Sequence, residues 1–453
     1  METRAADSSW THWLTLAAVT VAVGIASGLG GMALGLLLRF VQHIAYGYSL
    51  HAIVSSESFF EGVSASSPLR RLLVLCLCGV VAGIGWSTLY RFGCPLVSVA
   101  KAIKNDGPRM PFLSTFAHAL LQIVTVALGS PLGREVAPRE VGAVFATWLS
   151  GRAGLSAENR RIMIACGAGA GLAAVYNVPL GGALFTLEVL LGTLALPALI
   201  PALVTSVIAA LVAWIGLGNV PAYSLPHLSI SPSLVVWSIL AGPMFGVSAY
   251  WFVRATGNAA GEGRRGWRLL AFCAVAFPAI GVLAIRFPQL LGNGKGLAQA
   301  GFDNDLGLGF AAALVLLRLL VILGALRAGA AGGLLTPGMS LGGTLGVVLG
   351  GLWNHAWPSV SLGAFAVIGS AAFLASSMKM PLTAIVLIFE FTRVGHDFLI
   401  PISLAVAGSV SAFHLCVERK TQPTWRPHHE DIPIGTGDPV LNRVRVAMRF
   451  LSA

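Results

Sequence analysis

The chain has 453 residues, which by length alone would make about three soluble domains. Its composition excludes that: 56% of residues are apolar and 10% charged, against about 25% charged in an ordinary soluble domain, so the whole chain reads as an all-α integral membrane protein. The formal charge of +11 comes from 29 Lys and Arg scattered through loops between apolar segments, a pattern that speaks for membrane topology and against nucleic acid.

In chain order, residues 1–14 carry acids and a single Arg, lack the core and cleavage site of a signal peptide, and read as an N-terminal cytoplasmic segment. About fourteen apolar runs follow, starting with 13–38, 70–90 and 113–129 and ending with 361–378, 380–393 and 398–416. Several are shorter than the roughly 20 residues of a full crossing. The runs at 140–150 and 380–393 read as half-helices that stop inside the membrane, where irregular backbone is tolerated only against protein or a watery cavity. The 54 glycines suit helices packed closely in lipid. The six cysteines lie mostly in or beside apolar runs and imply no disulfide framework.

The chain repeats itself once. Gly167, Ala170, Leu172, Ala173, Pro179, Leu180 and Glu188 recur about 202 positions later as Gly369, Ala372, Leu374, Ala375, Pro381, Leu382 and Glu390. A Gly-x4-Pro segment precedes each block, Gly133 to Pro138 and Gly332 to Pro337. The expected partition is a first membrane repeat over 15–220, a second over 221–416 and a cytoplasmic tail over 417–453, joined through an uncharged stretch near 217–232. The connection 39–69 holds only Arg39, whereas 91–109 and 254–268 each hold four basic residues and read as cytoplasmic. The halves then enter the membrane from opposite sides. Two inverted-topology repeats of broken and tilted helices place a binding site near the midplane between them.

The stretch GSPLGREVAPREVGA, residues 129–143, sets Arg134, Glu135, Arg139 and Glu140 among glycines and prolines between apolar runs. A carboxylate at that depth points to function. A half-helix starting near Pro138 would turn its free amides toward an anion or toward Glu135 itself, and a carboxylate competing with a permeating anion is a gate. Gly332-Gly333-Leu334-Leu335-Thr336-Pro337 offers the same helix start without a charge. Glu188 and Glu390 read as scaffold, each accepting hydrogen bonds that fix a helix end. Lys379 and Asn177 occupy matching helix breaks. His428, His429, Glu430 and Asp431 lack the spacing of a metal site and read as a solvated tail.

These residues resemble one family, the CLC chloride channels and anion/proton antiporters, over roughly residues 13–426. The resemblance implies that Glu135, in Gly133-Arg134-Glu135 with the proline displaced to Pro138, is the external gating glutamate. It implies that Leu334 and Leu335, in Gly333-Leu334-Leu335-Thr336-Pro337, offer amides to a central anion. By the same comparison Cys94 replaces an anion-coordinating Ser in an eroded segment, and Trp425 corresponds to a late anion-coordinating Tyr. Val189 occupies the place of the antiporters' internal proton-transfer glutamate and resembles the channel branch. The 37 residues after Cys416 are too few for the CBS pair of eukaryotic members.

The resemblance implies chloride or another small anion as substrate, with protons as an open second one, no cofactor, a homodimer with a pathway in each subunit, and a bacterial inner membrane with both termini cytoplasmic. A fluoride/proton antiporter of the same family and a cation-coupled solute symporter stay open beside it. An enzyme using Glu135 and Glu140 as an acid/base pair would need a nucleophile, a metal-ligand set or a phosphate loop, and none accompanies the pair.

Overall fold

The computed structural model describes residues 2–49, 51, 54–55, 57–104, 107–260, 266–358 and 360–421, with side chains from 11 to 418. Trp425 and the 428–431 cluster lie outside the described residues. The first part of the chain forms α1 (Glu2–Tyr46), α2 (Phe59–Ala65), α3 (Pro68–Phe92), α4 (Val99–Ala102), α5 (Phe112–Ala127), α6 (Val136–Arg152), α7 (Ala157–Tyr176), α8 (Pro179–Leu184), a π-helical stretch Phe185–Leu191, and α9 (Leu196–Leu217). The second part forms α10 (Pro232–Ala260), α11 (Trp267–Arg286), α12 (Lys295–Phe302), α13 (Leu308–Ala328), α14 (Leu335–Ala356), α15 (Leu362–Ser377), α16 (Pro381–Thr392) and α17 (Leu399–Thr421). Residues up to Cys416 form one compact unit.

Among the described residues, eight helices are long and apolar enough to cross a membrane: α1, α3, α9, α10, α11, α13, α14 and α17. The others fall short. A helix of 16 residues such as α5 or α15 rises about 24 Å, below the roughly 30 Å of hydrocarbon. α7 from Ile162 onward and α15 along most of its length are buried on all faces, so they form the centre. α3, α9 and α11 instead expose Leu73, Ile84, Ile200, Ile215 and Val275, side chains fit for lipid.

Close packing rests on glycine at matched places. α6 meets α7 at Gly142 and Gly167, where a side chain would run into backbone. α14 meets α15 at Gly342 and Gly369, where an added Cβ would stand 2.6 Å from a carbonyl oxygen. The helix breaks are matched as well. Asn177 (φ 57°) and Lys379 (φ 55°) take the left-handed conformation just ahead of Pro179 and Pro381, which start α8 and α16.

The two glutamates of the repeat blocks fix helix ends reciprocally. Glu188 accepts from the amides of Leu382 (3.0 Å) and Thr383 (2.7 Å) at the start of α16 and from the Thr383 hydroxyl (2.6 Å). Glu390 accepts from the amides of Leu180 (2.9 Å) and Gly181 (2.7 Å) at the start of α8. The scaffold role expected of both is present, with the addition that each caps the other block's helix, so the two segments lock together.

Candidate functional site

The two Gly-x4-Pro segments meet. Gly133 and Gly333 exchange backbone hydrogen bonds, each amide to the other's carbonyl at 2.8 Å, as an isolated antiparallel bridge. This aligns the start of α6 with the start of α14. Glycine is needed on both sides because a Cβ at either position would collide with the Glu135 carboxylate. α6 begins at Val136 with Glu135 as its N-cap residue, two residues ahead of the expected start at Pro138. Pro138 sits in the first turn, where no intrahelical partner is required of its missing N–H.

Glu135 is fully buried at 0% exposure. Its Oε1 accepts from the Leu335 amide at 2.6 Å, and its Oε2 from the Tyr176 hydroxyl at 3.4 Å. The Tyr176 hydroxyl also lies 2.9 Å from Thr336 Oγ1. Leu335 is the first residue of α14 and Leu334 its N-cap, so the carboxylate is held by a helix N-terminus, where free amides and the macrodipole favour negative charge. Among the described residues no Lys or Arg forms an ion pair with it. Arg134 stacks over the Tyr176 ring at 5.0 Å, and Arg139 over the Phe185 ring at 4.4 Å.

A cavity opens beside this seat, lined by Arg39 of α1, Arg134, Tyr176, Tyr223, Lys295 of α12 and Thr336, with no acid in its wall. Three cations without a counter-charge make it a place that concentrates anions. Lys295 reaches solvent, yet enclosure by the cavity wall, followed by the fields of Arg134 and Arg39, pushes its ammonium down to about 8. Behind the seat, the fully buried Arg318 donates to the carbonyls of Pro131 (3.1 Å), Leu290 (2.8 Å) and Gly292 (3.0 Å), tying the loop before α6 to the loop before α12.

Gly133, Arg134, Glu135, Pro138, Gly333, Leu334, Leu335 and Pro337 thus come together. Cys94 stands apart: it is exposed, and its amide donates to Ser114 Oγ at 2.8 Å near the Phe112 end of α5, whereas the Glu135 loop follows the opposite end. Val189 is half-buried in the π-helical stretch and packs on the core. Tyr176, Thr336 and Lys295 were not anticipated. Tyr176 does sit inside the repeated block and Thr336 inside the Gly-x4-Pro segment, the positions from which they reach Glu135.

Comparison with known proteins bears on the family and the fold. The profile described as "Voltage gated chloride channel" matches residues 78–413. The chain is 29% identical over 354 residues to the voltage-gated ClC-type chloride channel ClcB of Citrobacter koseri, covering 74% of this chain and 82% of that one. It is 27% identical over 391 residues to ClcB of Salmonella typhi, covering 83% and 90%. Among solved structures it resembles a slow cyanobacterial Cl−/H+ antiporter (TM-score 0.74, 20% identity, 89% of this chain and 98% of that one). A CLC-type fluoride/proton antiporter is also similar (TM-score 0.66, 20% identity, 88% and 95%). The chain belongs to the voltage-gated chloride channel (CLC) family of anion-transporting membrane proteins.

Proposed function

We propose that this CLC-family chain carries chloride across the membrane through a pathway in each subunit of a homodimer, with Glu135 as the gate. The observation that carries the reading is the Glu135 carboxylate seated on the Leu335 amide. A helix-end amide that holds a carboxylate holds a halide by the same electrostatics, so anion and carboxylate compete for one seat. The cavity bearing Arg39, Arg134 and Lys295 supplies anions to it. Leu334 and Leu335 are assigned to the anion, Gly133 and Gly333 to keeping the seat open, and Glu188 to locking the scaffold. A bacterial inner membrane with cytoplasmic termini fits the basic connections. ClcB of Citrobacter koseri and of Salmonella typhi are named as chloride channels, which supports chloride over other anions.

The test uses purified protein in liposomes loaded with chloride or fluoride, with anion efflux and proton movement recorded together under clamped voltage. Chloride flux that ignores Na+ supports the reading. Flux that requires Na+, or no anion flux at all, overturns it.

A further inference from the structure

The helix that carries Glu135 holds a second carboxylate five residues on. Glu140 has 13% of its side chain exposed and lies 2.9 Å from His118 Nδ1 and 3.1 Å from Gln122 Nε2, both on α5. Gln122 Nε2 is also 3.0 Å from His118 Nδ1. His118 and Gln122 are four apart and so share one helix face. Thr115, three residues before His118, continues that face toward the Phe112 end, where the basic 101–109 connection lies. Gln122 is fully buried and its Oε1 has no hydrogen-bond partner among the described residues; the same holds for Thr115 Oγ1.

Three polar atoms converging this way can be satisfied differently in two protonation states. With Glu140 ionised, a protonated Nδ1 and the Gln122 amide both donate to it. With a proton added to Glu140, its O–H becomes a donor, and a turn of the Gln122 amide brings the orphaned Oε1 round to accept it. Such a group stores a proton without leaving a buried charge alone.

Among the described neighbours, one charge bears on this exchange. Arg139 lies between Glu135 and Glu140 in sequence and its charge is felt by both. α1 turns Leu34 and Leu38 toward α5 and α6, α7 turns Gly167 and Gly171 toward α6, and α4 carries the exposed Lys101. From α3, Cys78 donates to the Thr125 carbonyl of α5. Among the described residues no other titratable or charged group makes an ion pair or hydrogen bond to Glu140 or His118.

We propose that Glu140, with His118 and Gln122, is an intramembrane proton-loading site that supplies Glu135. The inference rests on reading Glu135 as the gate. A proton enters from the Phe112 end of α5 along the Thr115–His118–Gln122 face and neutralises Glu140. It then passes toward the start of α6, a rise of about 7.5 Å along the helix axis, to the Glu135 carboxylate as that group leaves the Leu335 amide, and Glu140 becomes an anion again. One proton enters and one leaves, and only O–H and N–H bonds change. Val189 contributes no carboxylate, and Glu140 supplies one from a different helix.

Full-length protein in liposomes, with chloride and proton movement recorded together, tests this. The wild type is expected to move protons uphill against a chloride gradient. Glu140→Gln should lower protons moved per chloride by at least about tenfold, while Glu140→Asp, which keeps a titratable group, retains coupling. His118→Gln, a second variant should Glu140→Gln fail to fold, should lower the ratio in the same direction. An unchanged ratio in Glu140→Gln and His118→Gln overturns the inference, as does equal loss in Glu140→Asp and Glu140→Gln, which would mark a structural role. A wild type that moves chloride without protons overturns it and leaves the anion-transport reading intact. That reading fails only if chloride does not move.

Discussion

Replacing Glu135 by Gln changes the charge of the proposed gate and almost nothing else. The side chain keeps its length, its Oε1 can still accept from the Leu335 amide now 2.6 Å from the carboxylate, and its amide group can donate to the Tyr176 hydroxyl oxygen. What is lost is the charge on the acceptor. A hydrogen bond to an ionised group contributes about 1.5–3 kcal/mol and a neutral one about 0.5–1.5, so the seat is weakened by about 1–2 kcal/mol. That is a factor of about 5–30 in the balance between seated and released gate, and the competing anion gains by the same factor. Protonating the wild-type carboxylate makes the same change, so wild-type chloride flux should rise by about this factor as pH falls, whereas Glu135→Gln should already be fast at neutral pH and flat with pH below about 8, where Lys295 keeps its charge. Chloride efflux from liposomes at clamped voltage, measured across a pH series, reads both. Wild-type pH dependence persisting in the Glu135→Gln variant would refute the competition argument.

The geometry sets three further expectations. Gly333→Ala sets a methyl against the Glu135 carboxylate, so that side chain is displaced and chloride efflux should lose its rise at acid pH while Glu135 itself is intact. Glu188→Ala and Glu390→Ala each strip two backbone amides of their acceptor; at about 1–3 kcal/mol per unsatisfied amide, both should lower the thermal midpoint in detergent, Glu188→Ala by more because the Thr383 hydroxyl loses its acceptor as well. Lys295 carries charge below about 8 and loses it above, so chloride entry from the cavity side should fall as pH rises through that value. In Lys295→Met entry should be lower at neutral pH and that alkaline fall absent; an unaltered alkaline limb in initial-rate measurements would remove Lys295 from the entry path.

Much of the site was legible because charge and conformational freedom are scarce in this chain. Arg134, Glu135, Arg139 and Glu140 stand out among apolar residues, and Gly with Pro at fixed spacing marked both helix starts. The same scarcity made the repeat visible, since Pro179 and Pro381 with Glu188 and Glu390 recur at one offset. The partners were not legible. A periodic pattern tells which face of a helix is apolar, but α7 from Ile162 onward and α15 along most of its length are buried on all faces, so nothing in Tyr176 announced that its hydroxyl would meet Glu135. Likewise His118 and Gln122 sit in FAHALLQIV, where two polar residues four apart in an apolar helix were a signal that only the approach of α6 converts into a cluster. Pro138 marks the first turn of α6 but not its first residue, because proline fits anywhere in that turn, and the helix starts two residues earlier.

The division of parts between the two segments bears on how the gate opens. Glu135 belongs to the first Gly-x4-Pro segment, but the amide that holds it belongs to the second, so opening needs either the two segments to part or the side chain to rotate. Parting them would break both hydrogen bonds of the Gly133–Gly333 bridge. Each bond left unmade costs about 1–3 kcal/mol. Rotating Glu135 breaks its Leu335 and Tyr176 contacts but leaves the bridge in place, and an incoming anion replaces the first of them. The side-chain route therefore has the lower barrier, and the gate moves on a scaffold that stays in place.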